Sequence, residues 1–434
     1  MTRRPSSFAN AQRPPALADA PRPSAFVDED RLAGRIQALA RIGATAGGGV
    51  DRQALSEGDA QAQALLAEWG AALGLQASRD AAGNLFLRMA GQEDGPAVLS
   101  GSHLDTQPSG GRYDGAYGVL AALEAVQAMR EAGFAPRRAV DVVAWMNEEG
   151  SRFAPGMMGS AAHAGARGLD EILAVRDAAG VSVAQALAET AARLPGIPLR
   201  ALGEPAHAYV EAHIEQGPVL EREGIPVGVV TGIQGKHTFR VTVEGEAAHA
   251  GTSRRGERRD ALLAACAMVC ALAAALHDDE DVAKFTVGRF EVSPGAPSVV
   301  ASRVVFSIDL RHPDSARLRE LSARVAPACE AHAGPCAVRV ERLSAADSLA
   351  FPEAMRQRLR EAADALGVAR RDLPSAAGHD ARFLNEVCPS AMLFIPCRGG
   401  ITHNEAEYAS PADMAAGARV LADVLAGLSL EEAA

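Results

Sequence analysis

Ala97-Val98-Leu99-Ser100-Gly101-Ser102-His103-Leu104-Asp105-Thr106 begins as an apolar run and ends in an imidazole and a carboxylate two residues apart. A short run of this kind reads as a buried strand, with chemistry at its carboxyl end. The pattern recurs. The run 140–146 leads into Asn147-Glu148-Glu149-Gly150, and the strand candidate 208–214 carries Glu211 and His213 and leads into Glu215-Gln216. The run 391–396 leads through a glycine-rich turn to Thr402-His403-Asn404-Glu405, and Tyr113-Asp114-Gly115 precedes a helical stretch at 119–132. Strands alternating with helices predict an α/β layer architecture. Ligands of open α/β sheets gather outside the carboxyl ends of the strands, so four such ends loaded with His, Asp and Glu predict one shared site.

Helical spacing at 31–42 and 61–73 extends this α/β region, giving a first part over 28–222. The texture changes at Glu223-Gly224-Ile225-Pro226. Strands at 238–244, 285–292, 299–310 and 337–343, with a loop and long helix over 249–275 and a helix at 316–333, follow a β-α-β-β-α-β order. That is the order of a small ferredoxin-like domain, expected over 223–345. The α/β pattern resumes over 346–434 with a helix at 353–366, the strand at 391–396 and a closing helix at 411–428. Ser410 caps that last helix and Pro411 occupies its first position. The expected architecture is therefore one α/β domain interrupted by an inserted α+β domain. Residues 1–27, with Arg3, Arg4 and five prolines before residue 24, are expected to form a disordered leader.

The 434 residues carry a net charge of −11, which argues against a nucleic-acid surface and against anionic membrane. Six cysteines without a C-x-x-C pair read as reduced thiols of a cytoplasmic protein. The apolar run 261–276 falls short of the roughly 20 residues a spanning helix needs and reads as a buried helix. Cys266 and Cys270, four apart on it, are expected in the core.

Histidine and carboxylate without thiolate suit a hydrolytic zinc, manganese or cobalt site with an open position for water. Ligands at His103, Asp114, Glu149, His213 and His403 would serve a pair of ions about 3.5–4 Å apart sharing a bridging carboxylate. One histidine at a strand end is more often packing than ligand, but five candidates after separate strands reverse that weighting. Asp105 can orient His103, as carboxylates often orient metal-bound imidazoles, or cap a helix. Glu148 and Glu149 repel each other unless a cation or proton separates them, which fits one ligand beside one free general base. Arg311, ending the strand 304–310, reads either as a bidentate partner for a substrate carboxylate or as a surface ion pair.

The motifs His103-Leu104-Asp105-Thr106, Gly110-Gly111-Arg112-Tyr113-Asp114-Gly115, Trp145-Met146-Asn147-Glu148-Glu149-Gly150, His213-Ile214-Glu215-Gln216-Gly217-Pro218, His249-Ala250-Gly251-Thr252, Gly378-His379-Asp380-Ala381 and His403 through Tyr408 together resemble the two-metal N-carbamoyl-L-amino-acid hydrolase and allantoate amidohydrolase family. The resemblance runs from about 28 to 425. It implies a di-metal exopeptidase-like catalytic domain with a mixed sheet, and an inserted domain acting as lid and homodimerisation module. It implies two divalent ions per chain, zinc or else manganese, cobalt or nickel. His103 and His213 would hold one ion, Glu149 and His403 the other, and Asp114 would bridge them. Glu148 would take a proton from the attacking water and hand it to the leaving nitrogen. Asp105 would orient His103. Gln216 and His249 would hydrogen-bond the substrate, with His249 at the developing oxyanion, and Arg311 would hold its carboxylate. His249 or Arg311 can act on the neighbouring subunit's site. His379-Asp380 is expected to be structural.

The family usually carries Asn thirteen residues before that arginine, where this chain has Ser298. After His-Ala-Gly-Thr it commonly shows Thr-Pro-Met, where this chain has Ser253-Arg254-Arg255. The substrate expected first is an N-carbamoyl-L-amino acid, cleaved to amino acid, carbon dioxide and ammonia. Allantoate or another ureido acid comes next, then an acyl-amino-acid deacylase or peptidase activity, which His213 in place of a carboxylate disfavours. A non-catalytic metal-binding relative comes last, because Glu148 and all five ligands are present.

Overall fold

The computed structural model describes residues 21–432, and the first twenty residues of the expected leader lie outside it. The last residues of that expected leader belong to the fold. Pro23–Phe26 form a 3-10 turn, Ser24 is buried, and its amide donates to Asp423 Oδ1 at 3.1 Å.

The chain forms two compact units. One comprises the chain through Thr231, Phe351–Leu373 and the residues from His379 onward; the other comprises Gly232–Ala350 with Pro374–Gly378. The second unit thus begins nine residues later than the change of texture at 223, because the strand Val227–Ile233 still pairs with Ser390–Ile395 of the first unit at Val229 and Gly228.

The first unit is built on a mixed sheet. Seven of its nine strands are β1 (Gln76–Arg79), β2 (Leu85–Met89), β3 (Ala97–His103), β4 (Val140–Trp145), β5 (Ala206–Ile214), β6 (Val227–Ile233) and β7 (Ser390–Ile395). They lie in the order β1-β2-β4-β3-β5-β7-β6. The four central strands β4, β3, β5 and β7 are parallel, while β1, β2 and β6 are antiparallel additions. Every residue of β3, β4 and β7 is buried, as central strands covered on both faces require. From β3 the chain moves to one neighbour through β4 and to the other through β5. His103 therefore ends a strand at the topological switch point, where crossovers leave a crevice.

The helix Ala116–Glu131 follows β3 and buries thirteen of its sixteen residues, as a helix apolar on all sides must. It packs with the closing helix Pro411–Ser429 in one hydrophobic core. Ser410 caps the closing helix by accepting from the Asp413 amide at 3.1 Å, with Pro411 in the first turn as expected. Glu124 is the polar exception within the buried helix, and Arg31 and Arg35 pair with it at 2.6 and 3.2 Å. The helix lies so close to β5 that a Cβ on Gly118 would fall 2.2 Å from the Ala212 carbonyl oxygen.

The second unit carries an antiparallel sheet in which Phe290–Ser293, Arg303–His312, Gly235–Glu244 and Ala337–Ala346 lie side by side in that order. With helices at Ala261–Ala275, Ser315–Ala323 and Val325–Ala331, this is the expected β-α-β-β-α-β order. Two runs expected to be continuous strands are broken, at 287–289 and at 301–302, and the helix expected at 316–333 is split at Arg324.

Cys266 and Cys270 correct the core expectation, because both are exposed. The helix Ala261–Ala275 is apolar on every side, so periodicity does not say which face packs. Ala261, Ala264, Ala265, Met268 and Leu272 are the buried face, and Leu263 on the open side is 60% exposed. Among the described residues, no helix is long and apolar enough to cross a membrane.

Gly118→Ala should cost about 3 kcal/mol or more, beyond ordinary overpacking, because the clash is with backbone. Urea unfolding of the variant checks this; an unchanged midpoint would show that the helix can move off β5 freely.

Candidate metal site

Because β3, β4, β5 and β7 are parallel, the loops at their carboxyl ends open on the same edge of the sheet. Alternation along β5 puts Tyr209, Glu211 and His213 on one face. The turns that follow are tightly bent: Asn147, Gln216 and His403 all have positive φ (56°, 57° and 51°), a conformation that clusters at functional sites.

Eight residues expected in the site come from the first unit, and all eight meet there. His213 Nε2 lies 3.2 Å and His103 Nε2 3.8 Å from Asp114 Oδ1, while His403 Nε2 lies 3.2 Å from Asp114 Oδ2 and 3.4 Å from Glu149 Oε2. One carboxylate thus faces two separate groups able to hold a metal ion, His103-Asp114-His213 and Asp114-Glu149-His403. Glu148 belongs to neither and places Oε2 3.6 Å from His103 Nε2. His103, Asp114 and His213 are buried, whereas the His403 side chain is 47% exposed. Gly115, at φ 62°, leaves the space the His103 ring fills: a Cβ there would sit 2.3 Å from it.

Asp105 sits against His103, its carboxylate oxygen 3.7 Å from His103 Nδ1. His103 Nδ1 bonds the backbone carbonyl of Asp105 at 2.9 Å, whereas the Asp105 carboxylate accepts from the amides of Glu148 at 3.1 Å and Glu149 at 3.2 Å. Gln216 Nε2 donates to Asp114 Oδ2 at 2.8 Å, and its buried Oε1 has no hydrogen-bond partner. A third grouping, Glu211-His213-His379, overlaps the first. His213 cannot serve both with different nitrogens, because its Nδ1 is committed to the Ile214 carbonyl at 3.0 Å.

Sequence reasoning missed several supports. Gln107 donates its side-chain amide to Glu149 Oε2 at 2.8 Å and its backbone amide to Oε1 at 3.2 Å. Arg52 is fully buried and donates Nε to the Leu104 carbonyl at 2.8 Å, while its amide bonds Thr106 Oγ1 at 2.9 Å. An arginine in a glycine-rich segment gives no signal of burial. Glu407 stood inside a matching motif, and Thr402 just before it, without a role.

In the second unit, His249 Nδ1 accepts from the amides of Gly251 at 3.0 Å and Thr252 at 3.2 Å. The imidazole proton is thereby placed on Nε2, leaving a free donor. Ser298 lies beside it, its carbonyl accepting the Ala250 amide at 3.0 Å. Arg311 is a bidentate partner of Asp309, at 2.7 and 3.1 Å, and Lys236 joins the same carboxylate at 3.2 Å. Arg254 is 85% exposed beside Glu257.

The electrostatics fit a bound cation. Burial pushes His103 down to about 4, so it is a neutral donor at pH 7. Burial, then Asp114, pushes Glu149 up to about 8, and burial with Asp380 and Glu149 raises Glu148 well above the usual range. Burial opposes ionisation of Asp114, but hydrogen bonds with His213 and His403 outweigh it and hold its carboxyl low. Against burial, Asp114 raises His213 to about 9; its hydrogen bond raises His403 to about 9 as well. Carboxylates massed beside neutral imidazole need positive charge, and without metal the site must take it as protons.

An open α/β sheet carrying such a donor set at its carboxyl edge, with one carboxylate to spare, defines a metal-dependent hydrolase. The chain belongs to peptidase family M20/M25/M40, whose model matches residues 99–427. It is 38% identical over 398 residues to an N-carbamoyl-L-amino-acid amidohydrolase of Rhizobium meliloti, covering 90% of this chain and 94% of that one. It is 35% identical over 396 residues to an allantoate amidohydrolase of Bacillus subtilis, covering 90% and 95%. A hydantoinase/carbamoylase family amidase from Burkholderia multivorans superposes with a TM-score of 0.86 at 39% identity, covering 94% of this chain and 99% of that one.

The shifts give a stability prediction for metal-stripped protein. His213 and His403, raised from 6.5 to about 9, contribute stability that is full below pH 6.5 and lost as pH rises through 9. Glu149, raised from 4.5 to about 8, favours the folded state when protonated and loses that contribution as pH rises toward 8. Both signs agree between pH 6.5 and 8, and the histidines alone extend the fall to about 9, so Tm should fall across that window and excess zinc should flatten the dependence. A Tm that rises with pH in chelator-treated protein would contradict this charge assignment.

Proposed function

We propose that this chain hydrolyses the ureido carbon–nitrogen bond of N-carbamoyl-L-amino acids, yielding amino acid, carbon dioxide and ammonia. The observation that carries the reading is Asp114, whose two oxygens face different imidazoles, with Glu148 left outside both metal-holding groups. His103 and His213 would hold one divalent ion and Glu149 and His403 a second, with Asp114 between. Zinc suits the set, and manganese, cobalt or nickel would fit it. When bound, such ions polarise the scissile carbonyl and lower the pKa of a water.

Glu148 is the general base. Burial and neighbouring carboxylates raise its proton affinity, so it can take the proton of the attacking water and return it to the leaving nitrogen. Asp105 holds the turn that aims Glu148, through the two amides it accepts. Gln216 Oε1, buried and without a partner, is a ready acceptor for a substrate N–H. His249 offers Nε2–H to the oxygen on which negative charge develops. Arg311, released from its pairing with Asp309, and Ser298 would address the substrate carboxylate. The second unit would act as lid and as the contact surface of a cytoplasmic homodimer, His249 and Arg311 serving their own or the neighbouring subunit. Allantoate is the alternative substrate, favoured by the relative that bears its name. Deacylation of acyl amino acids or peptides ranks behind it.

Ammonia release by metal-loaded enzyme from a panel of N-carbamoyl-L-amino acids and allantoate tests the reading. Glu148→Gln should retain two metal equivalents by elemental analysis and lose roughly 10²–10⁴-fold in turnover. A variant at near-normal rate would remove Glu148 from the base role. His403→Ala should bind one metal fewer, and two per chain would exclude that ligand.

A further inference from the structure

Glu407 is buried, 4% exposed, on the loop that carries His403. Its Oε1 accepts the backbone amides of Tyr113 at 2.8 Å and Asp114 at 3.1 Å. Its Oε2 lies 3.1 Å from Thr402 Oγ1, and the same hydroxyl lies 3.0 Å from Asp114 Oδ2. Gly111 makes room for this approach: a Cβ there would fall 2.0 Å from the Glu407 carboxyl carbon. We propose that Glu407 and Thr402 form a clasp that sets Asp114, making Glu407 a positioning residue for the bridging carboxylate of the metal centre. The inference rests on the two-metal reading above.

A bridging carboxylate must present each oxygen to a different partner, and a loop aspartate has two free side-chain torsions with which to fail. The amide bonds from residues 113 and 114 fix where the Asp114 backbone lies. The Thr402 hydroxyl, together with Gln216 Nε2, fixes rotation of the carboxylate by engaging Oδ2, so that Oδ1 is left to His103 and His213. Glu407 also ties together two loops that are adjacent only through the sheet, those of Asp114 and His403. The 3.2 Å spacing of His403 from Asp114 therefore depends on it. Partners of this kind orient metal-binding side chains, and their loss typically costs about 10–100-fold in metal affinity.

The clasp needs geometry, not the charge of Glu407. In Glu407→Gln the amide oxygen can accept both backbone amides, and the amide nitrogen can donate to Thr402 Oγ1. That leaves the hydroxyl proton for Asp114. Glu407→Ala removes the bonds to both amides and to Thr402. Zinc affinity of metal-stripped full-length protein, by competition with a chromophoric chelator, reads the difference, with metal-free melting as the control for folding. Glu407→Ala should weaken zinc by about 10–100-fold, and Glu407→Gln should bind close to wild type. Thr402→Val should weaken zinc while Thr402→Ser restores it, and this pair decides the matter if Glu407→Ala fails to fold. Equal weakening by Gln and Ala, or unaltered affinity in Glu407→Ala or Thr402→Val, would overturn the clasp while leaving two metals in wild type. Wild type binding fewer than two zinc ions would instead overturn the two-metal reading, and the clasp with it.

Discussion

Three carboxylates, those of Asp114, Glu148 and Glu149, are held against three imidazoles at one edge of a sheet, and neutralising that group is the constraint on which the structure turns. Burial raises the proton affinity of Glu148 and Glu149 and lowers that of His103. Left alone, these groups would relieve the repulsion by moving apart or opening to water. They do neither because the surrounding backbone holds them. Asp105 anchors the Glu148-Glu149 turn, Gln107 grips Glu149, and Glu407 and Thr402 grip the segment of Asp114. Left-handed conformations at Asn147, Gln216 and His403 store the remaining strain where the chemistry needs it.

The rest of the first unit supplies the rigidity for this arrangement. A parallel centre brings four carboxyl ends together, and the buried helix Ala116–Glu131 follows directly from Asp114 and Gly115. Its apolar surface, and that of the closing helix, removes about 1.5–3 kcal/mol of cost per buried large side chain. A site held by loops is thereby mounted on elements that cannot shift without losing core contacts. The Burkholderia multivorans amidase keeps this fold over nearly the whole chain.

Much of this was legible in the order of residues. Strand ends loaded with His, Asp and Glu marked the site, because a parallel sheet has only one edge at which such residues can meet. The β-α-β-β-α-β order of the second unit was legible too, since alternating and helical periods differ along it. The breaks at 287–289, at 301–302 and at Arg324 were not, because short apolar runs look alike on both sides of an interruption. Nor was the exposed side of the helix Ala261–Ala275 that carries Cys266 and Cys270. A helix apolar all round has no periodic signal, and only its neighbours select the buried face.

The sequence by itself determined the chemistry: which donor types are present, that thiolates take no part, and that one glutamate stands beside another. These follow from side-chain identity and local spacing, which folding does not change. Tertiary structure alone decided how the donors divide. Asp114 facing His103 and His213 with one oxygen and His403 with the other, the Asp105 carboxylate holding the amides of Glu148 and Glu149, and Glu407 reaching the amides of residues 113 and 114 all join segments far apart in the chain. No local pattern encodes such a contact, because its length is set by the sheet order and by close approaches at glycines such as Gly111 and Gly115.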